Sequence, residues 1–168
     1  SNSYSFLNSY AWRMTEININ LENALITINK ALTLIDKNTP QYPNILDTKA
    51  EILWMQNDNE RAINIINQAI ELDSKSEYYK VQKNKFLNSI LKIAILEINN
   101  NNLSPIKEYL INYPGSDNIE DAVYALINYY KINQMEQEEI NVYNQYLKQF
   151  SNSYSFLNSY AWRMTEIN

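Results

Sequence analysis

Acidic side chains come closest to a catalytic pattern in this sequence. Asp47 and Glu51 lie four positions apart, which would place both carboxylates on one face of a helix. Two carboxylates held at a set separation could act as the acid and base of a glycosidase. The sequence has no His and no Cys, which are the commonest bases, nucleophiles and transition-metal ligands. It also lacks a Gly-rich phosphate loop, an EF-hand spacing and a GxSxG motif.

The other acidic groups stand at expected helix starts. Glu120 and Asp121 open one helix, and Glu136, Glu138 and Glu139 crowd the start of another. Carboxylates are favourable there because the amino-terminal end of a helix carries partial positive charge. We therefore interpret these groups as solvated or capping residues, and we predict a protein that is not an enzyme and that uses no cofactor and no metal.

Charge and composition narrow the class of partner and of fold. The net charge of −5 argues against nucleic acid as a partner, since phosphate binding depends on clustered basic residues. The best basic stretch, Lys80, Lys83 and Lys85, is interpreted as a solvated helix face. A single Gly and four Pro in 168 residues favour helices over hairpin-rich sheets. No apolar run reaches about 18 residues, so no membrane span is predicted.

The elements that would position any site repeat at two periods. The long period is unmistakable: residues 1–18, SNSYSFLNSYAWRMTEIN, return letter for letter as residues 151–168. Identity over 18 positions indicates one period of about 150 residues followed by the start of the next. The sequence therefore predicts either a tandem array of this unit or a chain joined end to end by design.

The short period is helical. Small and aliphatic residues recur at helical spacing in two segments that are offset by 38 residues. They are Ala24, Ile28, Ala31 and Leu34 in the first segment, and Ala62, Ile66, Ala69 and Leu72 in the second. Each segment is preceded by a predicted helix that carries a Trp near its end, Trp12 in one case and Trp54 in the other. The pattern indicates pairs of helices.

These pairs resemble the tetratricopeptide repeat family, whose unit is a helical hairpin of about 34 residues. The matching residues are Leu7, Tyr10, Ala11, Met14, Ala24, Ile28 and Ala31 in the first hairpin, and Leu46, Ala50, Leu53, Ala62, Ile66 and Ala69 in the second. The match departs from the family at Asp36 and Ser74, where the closing Pro is usual, and the later pairs resemble the family in length and pattern only.

The resemblance implies an all-α fold, an α-solenoid of four tetratricopeptide-like hairpins with a terminal extra helix. The expected hairpins span about 3–36, 43–73, 77–113 and 117–150, within one helical-repeat domain 1–168. The extra helix, 153–168, repeats 3–18. Stacked hairpins bury a continuous core, so each repeat is expected to contact mainly its neighbour.

The resemblance also implies a concave groove that grips peptides or partner proteins. The groove positions carried over to this sequence are Asn8, Trp12, Thr15, Glu16, Asn44, Asp47, Glu51, Trp54 and Met55. Asn side chains could bond an extended backbone, and Trp could supply a rigid apolar contact. The net negative charge of the chain would favour a basic or neutral ligand.

The terminal helix predicts a second kind of contact. It carries apolar residues that a plain capping helix would be free to replace by polar ones: Phe156, Leu157, Tyr160, Ala161, Trp162 and Met164. We predict these residues to form an end-to-end joint through which the chain binds a second copy of itself, head to tail.

Two functions remain open at this stage. The first is a non-catalytic structural scaffold, one period of a tandem 150-residue repeat that stacks end to end as an array, fibre or filament. The alternative is a peptide- or protein-binding adaptor that uses the concave groove, with the duplicated helix as a cap or an engineered feature. Helical hairpins also bind RNA in some proteins, but the acidic balance opposes that function.

Overall fold

The computed structural model describes residues 3–167 and consists, over that range, of nine helices and no strand. The helices are α1 (Tyr4–Glu16), α2 (Leu21–Leu34), α3 (Tyr42–Met55), α4 (Asn59–Leu72), α5 (Glu77–Ile98), α6 (Ser104–Asn112), α7 (Ile119–Ile132), α8 (Glu136–Tyr146) and α9 (Tyr154–Glu166). The prediction of an all-α fold is confirmed. None of the described helices is both long and apolar enough to cross a membrane.

The helix ends follow from local sequence. The Ser3 and Ser153 side chains each accept a hydrogen bond from an amide three residues later, and Asp58 does the same for α4. With one Gly in the chain, the turns use Asn instead: Asn57 and Asn101 follow helix ends in the left-handed conformation, with φ of 61° and 58°. Asn adopts this conformation more readily than most residues because its short polar side chain can bond locally.

The chain divides into two compact units, one up to Ser89 and one from Ile90, so that α5 contributes to both. In the first unit α1 packs against α2 and α3, and α3 packs against α4. Small residues let these helices approach closely. The core around the first hairpin contains Ala11, Ala24, Ile28, Ala31, Ile35, Ile45 and Ile52, all buried.

The second unit contains the carboxyl-terminal part of α5 and α6 to α9. Here α7 packs against α6 and α8. The buried Tyr109 hydroxyl and Ser116 Oγ are 2.6 Å apart, and this contact ties α6 to the turn that precedes α7. Gln149 Nε2 donates to the Pro114 carbonyl at 3.0 Å, which fastens the segment after α8 to the same turn. The side chain of Phe156, on α9, is completely buried within this unit.

Candidate functional site

The repeated 18-residue segment folds into the same helix twice. Its first copy forms α1 and its second forms α9, with equivalent first and last residues and the same Ser cap. Because the local sequence is identical, any difference between the copies comes from what packs against them. The comparison therefore separates the part of each helix surface that neighbours cover from the part that they leave exposed.

Two stripes of side chains on this helix matter for the comparison. The Phe stripe is Phe6, Ser9, Tyr10 and Arg13 in α1, and Phe156, Ser159, Tyr160 and Arg163 in α9. The Ala stripe is Tyr4, Leu7, Ala11, Met14 and Thr15 in α1, and Tyr154, Leu157, Ala161, Met164 and Thr165 in α9. At 3.6 residues per turn the centres of the two stripes lie roughly 140° apart around the helix.

In α9 the Phe stripe packs against α7 and α8. The Phe156 ring lies in an aromatic cage, with its centroid 6.0 Å from that of Tyr124, 5.5 Å from Tyr143 and 4.9 Å from Phe150. The Tyr160 ring adds a further contact with Tyr143 at 5.7 Å. These centroid distances lie in the range over which aromatic rings attract each other, in addition to the gain from burial.

Polar contacts fix the same surface. Arg163 Nε and Nη2 each lie 2.9 Å from one of the two carboxylate oxygens of Glu139 on α8. Glu139 is completely buried, so it is not the solvated group that its position at a helix start predicts. Its bond to the guanidinium raises the pKa of Arg163. Burial, reinforced by the charge of Glu139, raises the pKa of the neighbouring Tyr143 to about 12, so this hydroxyl stays protonated at neutral pH. Tyr160 donates to Asn144 Oδ1 at 3.3 Å.

The amino-terminal end of α9 is held by a carboxylate of α7. Ser153 and Ser155 donate to Glu120 Oε1 at 2.7 Å and 2.9 Å. Tyr124 of α7 reaches Ser159 Oγ at 3.5 Å. Together with the bond between Arg163 and Glu139, these contacts set the position of α9 along α7 and α8 over three turns.

In α1 the other stripe is buried. Ala11 is buried in a core shared with α2 and α3, Thr15 is also buried, and the Thr15 hydroxyl donates to the Ala11 carbonyl at 2.9 Å. The Phe stripe of α1 is exposed instead. Phe6 is 55% exposed where Phe156 is 0% exposed, and the Arg13 side chain is 68% exposed where that of Arg163 is 17% exposed.

The Ala stripe of α9 shows the reverse pattern. Ala161 and Thr165 are exposed, whereas their counterparts Ala11 and Thr15 are buried. Tyr154 is 84% exposed, and the adjacent Trp162 is 67% exposed. Each stripe of the repeated helix is thus fully or partly covered in one copy and largely exposed in the other.

The six residues predicted as an end-to-end joint fall into two groups. Phe156 and Tyr160 contact α7 and α8 of their own chain. Leu157, Ala161 and Trp162 are exposed, and Met164 is half-buried. The sequence places all six on one helix, but the structure assigns them to different surfaces.

The predicted groove residues of α3 are bonded to α5. Tyr79 donates to Asn44 Oδ1 at 2.6 Å, Tyr78 donates to Asp47 Oδ2 at 3.1 Å, and Lys85 donates to Glu51 Oε1 at 2.5 Å. The Trp54 ring stacks on Phe86 at a centroid distance of 5.4 Å, and the Lys85 ammonium lies 4.4 Å from the Trp54 ring centroid. We call these eight residues the α3–α5 cluster.

Burial shapes the electrostatics of this cluster. Asp47 is 5% exposed. Burial raises its pKa to about 6; the charge of Glu51 adds to this effect, while the Tyr78 bond and Lys85 oppose it. Burial also raises the pKa of Tyr79 to about 12, with Asp47 as the largest charge contribution. The cluster therefore contains two acidic side chains, Asp47 and Glu51, and one basic side chain, Lys85.

The remaining predicted groove positions are spread over α1 and the end of α3. Asn8, Trp12 and Met55 are half-buried. Thr15 is buried beneath the surface, and Glu16 is exposed and pairs with Arg13 at 3.2 Å. A side-chain oxygen in each of Asn8, Asp47 and Glu51 is buried and accepts no hydrogen bond from the described residues.

Sequence reasoning missed the α5 side of the cluster. Tyr79 and Lys85 follow their α3 partners by 35 and 34 positions, which is close to the 38-residue offset of the short repeat, so that spacing was the available signal. The second unit also holds an unpredicted groove of about 600 Å³, lined by Ile95, Tyr124, Asn128 and further residues of α5, α7 and the adjoining turns. No cluster of three or more potential metal ligands occurs among residues 3–167.

Comparison with known proteins finds similarity among solved structures only. No family model and no curated protein matches the chain. Among solved structures, the chain is similar to MamA 41-end from Desulfovibrio magneticus RS-1, with 14% sequence identity and a TM-score of 0.45 over 99% of this chain and 86% of that chain. We therefore infer the function of this chain from its own geometry.

Proposed function

We propose that this chain is a non-catalytic structural scaffold, one period of a tandem helical repeat that stacks end to end through protein–protein contacts. Residues 151–168 would be the first helix of the next period. One observation supports this most strongly: the identical helix buries the Ala stripe in its first copy and the Phe stripe in its second.

A helix inside such an array would use both stripes at once. The preceding period would supply α7 and α8 to cover its Phe stripe, as they cover Phe156 and Arg163 here. Its own α2 and α3 would cover its Ala stripe, as they cover Ala11 and Thr15 here. The two stripes share no residue, so the contacts do not compete.

Stacking of this kind would extend the core across the joint. In helical-repeat proteins the stability of an array is approximately the sum of the stabilities of its units and of the interfaces between neighbours. A joint that covers both stripes reduces the exposure to water of the Phe of one stripe and of the residues equivalent to Tyr154 and Leu157 of the other together. Apolar burial of that size contributes roughly 25 cal/mol for each Å².

A two-period chain tests the proposal. Residues 1–150 would be fused ahead of the complete chain, which creates one joint helix between the two periods. We expect slow amide hydrogen exchange along both stripes of that joint helix, and a Trp in the joint helix that is more shielded from water than Trp162. The control is the one-period chain at the same concentration. Two halves that unfold independently, with a joint helix that exchanges as fast as α9, would refute the proposal.

A second candidate is a peptide-binding adaptor, favoured by the buried oxygens of Asn8, Asp47 and Glu51 that accept no hydrogen bond from the described residues. A buried acceptor without a donor costs free energy of folding. The α3–α5 cluster, with Asp47 and Glu51, therefore suits a ligand that carries amide or ammonium donors. Short peptides that each carry one Lys would be titrated while tryptophan emission is followed, with W162F to silence the exposed Trp. Binding that W54A abolishes would support the adaptor, and no emission change with any peptide would contradict it.

A further inference from the structure

We infer that the surface of α7 and α8 under α9 is an acceptor site for α1 of a second copy of this chain, and that α9 caps this site within its own chain. The inference rests on the proposed function, because the contact of the repeated helix with α7 and α8 would form between two molecules instead of between two periods of one chain. We choose α1 as the occupant because it has the same sequence as α9, the helix that already covers the site.

The incoming helix needs no unfolding to dock. Phe6 and Arg13 project from α1 with most of their side chains exposed. Tyr10 is 36% exposed, and its hydroxyl accepts a bond from Asn23 at 3.3 Å. That hydroxyl still carries a proton to donate, as Tyr160 donates to Asn144. The Ala stripe of α1 would remain buried against α2 and α3 throughout.

The exposed Ala stripe of α9 agrees with docking of a second copy. If α1 took the place of α9, its α2 and α3 would lie over the Ala stripe of the docked helix. In α9 that stripe includes Ala161 and Thr165, which are exposed.

The acceptor site is selective for this helix. Glu139 is fully buried and needs a cationic partner, because an unpaired buried charge is strongly unfavourable. The aromatic cage of Tyr124, Tyr143 and Phe150 needs a ring at its centre. In α1, Phe6 and Arg13 offer the ring and the cation at the same seven-residue spacing as Phe156 and Arg163.

The cap has the advantage of proximity. A segment joined to its site by a short connection acts at an effective concentration on the order of millimolar. The wild-type chain is therefore expected to remain a capped monomer at micromolar concentration. Weakening α9 without changing α1 should reverse the preference and open the site to a second copy.

The first experiment compares two variants of the complete chain, F156A and F6A/F156A, by sedimentation equilibrium. The protein concentration runs from about 1 to several hundred micromolar, which stays below the roughly millimolar effective concentration of the cap. Removal of the buried ring should weaken the cap by about 100-fold or more. F156A is expected to associate as its concentration rises, and F6A/F156A is expected to remain a monomer. The inference is overturned if F156A stays a monomer or if both variants associate equally.

A second pair of variants covers the case in which F156A fails to fold. The charge-swap chains R13E/E139R and R163E/E139R have the same composition and differ only in which copy of the segment carries the new carboxylate. The first should associate, because its cap is repelled while its α1 is attracted, and the second should remain capped. Equal association states in the two chains would overturn the inference.

The result can be separated from the proposed function. The two-period chain tests whether the joint forms within one molecule, whereas the variants above test whether it forms between molecules. A protected joint helix in the two-period chain combined with monomeric F156A would leave the scaffold intact and reject the acceptor site alone. An unprotected joint helix would reject the scaffold directly.

Discussion

The same Phe→Ala substitution should have very different effects at the two positions of the repeated segment. Phe156 is completely buried among three aromatic rings, and Phe→Ala at such a site costs about 3–5 kcal/mol. Phe6 is 55% exposed. With a Phe area of about 200 Å², its buried part of about 90 Å² sets an upper bound of about 2 kcal/mol for F6A.

The identical local sequence makes this comparison unusually clean. Helix propensity, capping and unfolded-chain effects are the same for F6A and F156A, so they cancel in the difference. Urea unfolding followed by circular dichroism would give both losses, at about 1 µM so that association of the kind inferred from the acceptor site stays negligible. Amide hydrogen exchange should show that F156A removes protection from α9, while F6A leaves α1 protected by its Ala stripe.

The loss in the free energy of unfolding that F156A can show has an upper limit. If α9 detaches before the rest of the chain unfolds, the measured loss for F156A cannot exceed the free energy with which α9 docks. Hydrogen exchange of α9 in the unsubstituted chain measures that free energy. Equal losses for F6A and F156A, or full protection of α9 in F156A, would refute the assignment of the Phe stripe to α7 and α8.

Three further predictions follow from other contacts. Because the pKa of Asp47 is raised to about 6, its contribution to stability is full below pH ~4 and is lost as pH rises through 6. The free energy of unfolding in urea, taken for wild type relative to D47N, should therefore fall by up to about 3 kcal/mol between pH 4 and 7.5. A difference that does not change with pH would contradict this. A11L should overpack the first hairpin at a cost of about 1–3 kcal/mol, whereas A161L, on the exposed counterpart, should be near neutral in thermal unfolding. R163A leaves a buried carboxylate unpaired and should cost about 3–5 kcal/mol, while R13A should cost less than about 1 kcal/mol.

Local sequence was sufficient for the helices and for the repeat. The caps at Ser3 and Ser153, the left-handed Asn turns and the two stripes of the repeated segment are all set by side chains within a few residues of each other. For that reason the all-α fold could be predicted, and so could the presence of apolar residues on α9 that a plain cap would not need.

The candidate groove was only half visible in the sequence. Its α3 residues fit the resemblance, but Lys85 stands in a basic stretch that by itself indicates a solvated helix face. In the fold, Lys85 bonds Glu51 and lies over Trp54. The raised pKa of Asp47 likewise depends on burial by residues distant in sequence, so no local pattern could indicate it.

The repeated segment shows most clearly which features local sequence determines and which features tertiary packing determines. Its sequence determined a helix with two usable stripes, and nothing in that sequence distinguishes Phe6 from Phe156. Which stripe is buried was decided by tertiary neighbours alone, with α2 and α3 against α1, and α7 and α8 against α9. Burial is a property of what surrounds a side chain, so two identical helices in one chain can present opposite faces to water.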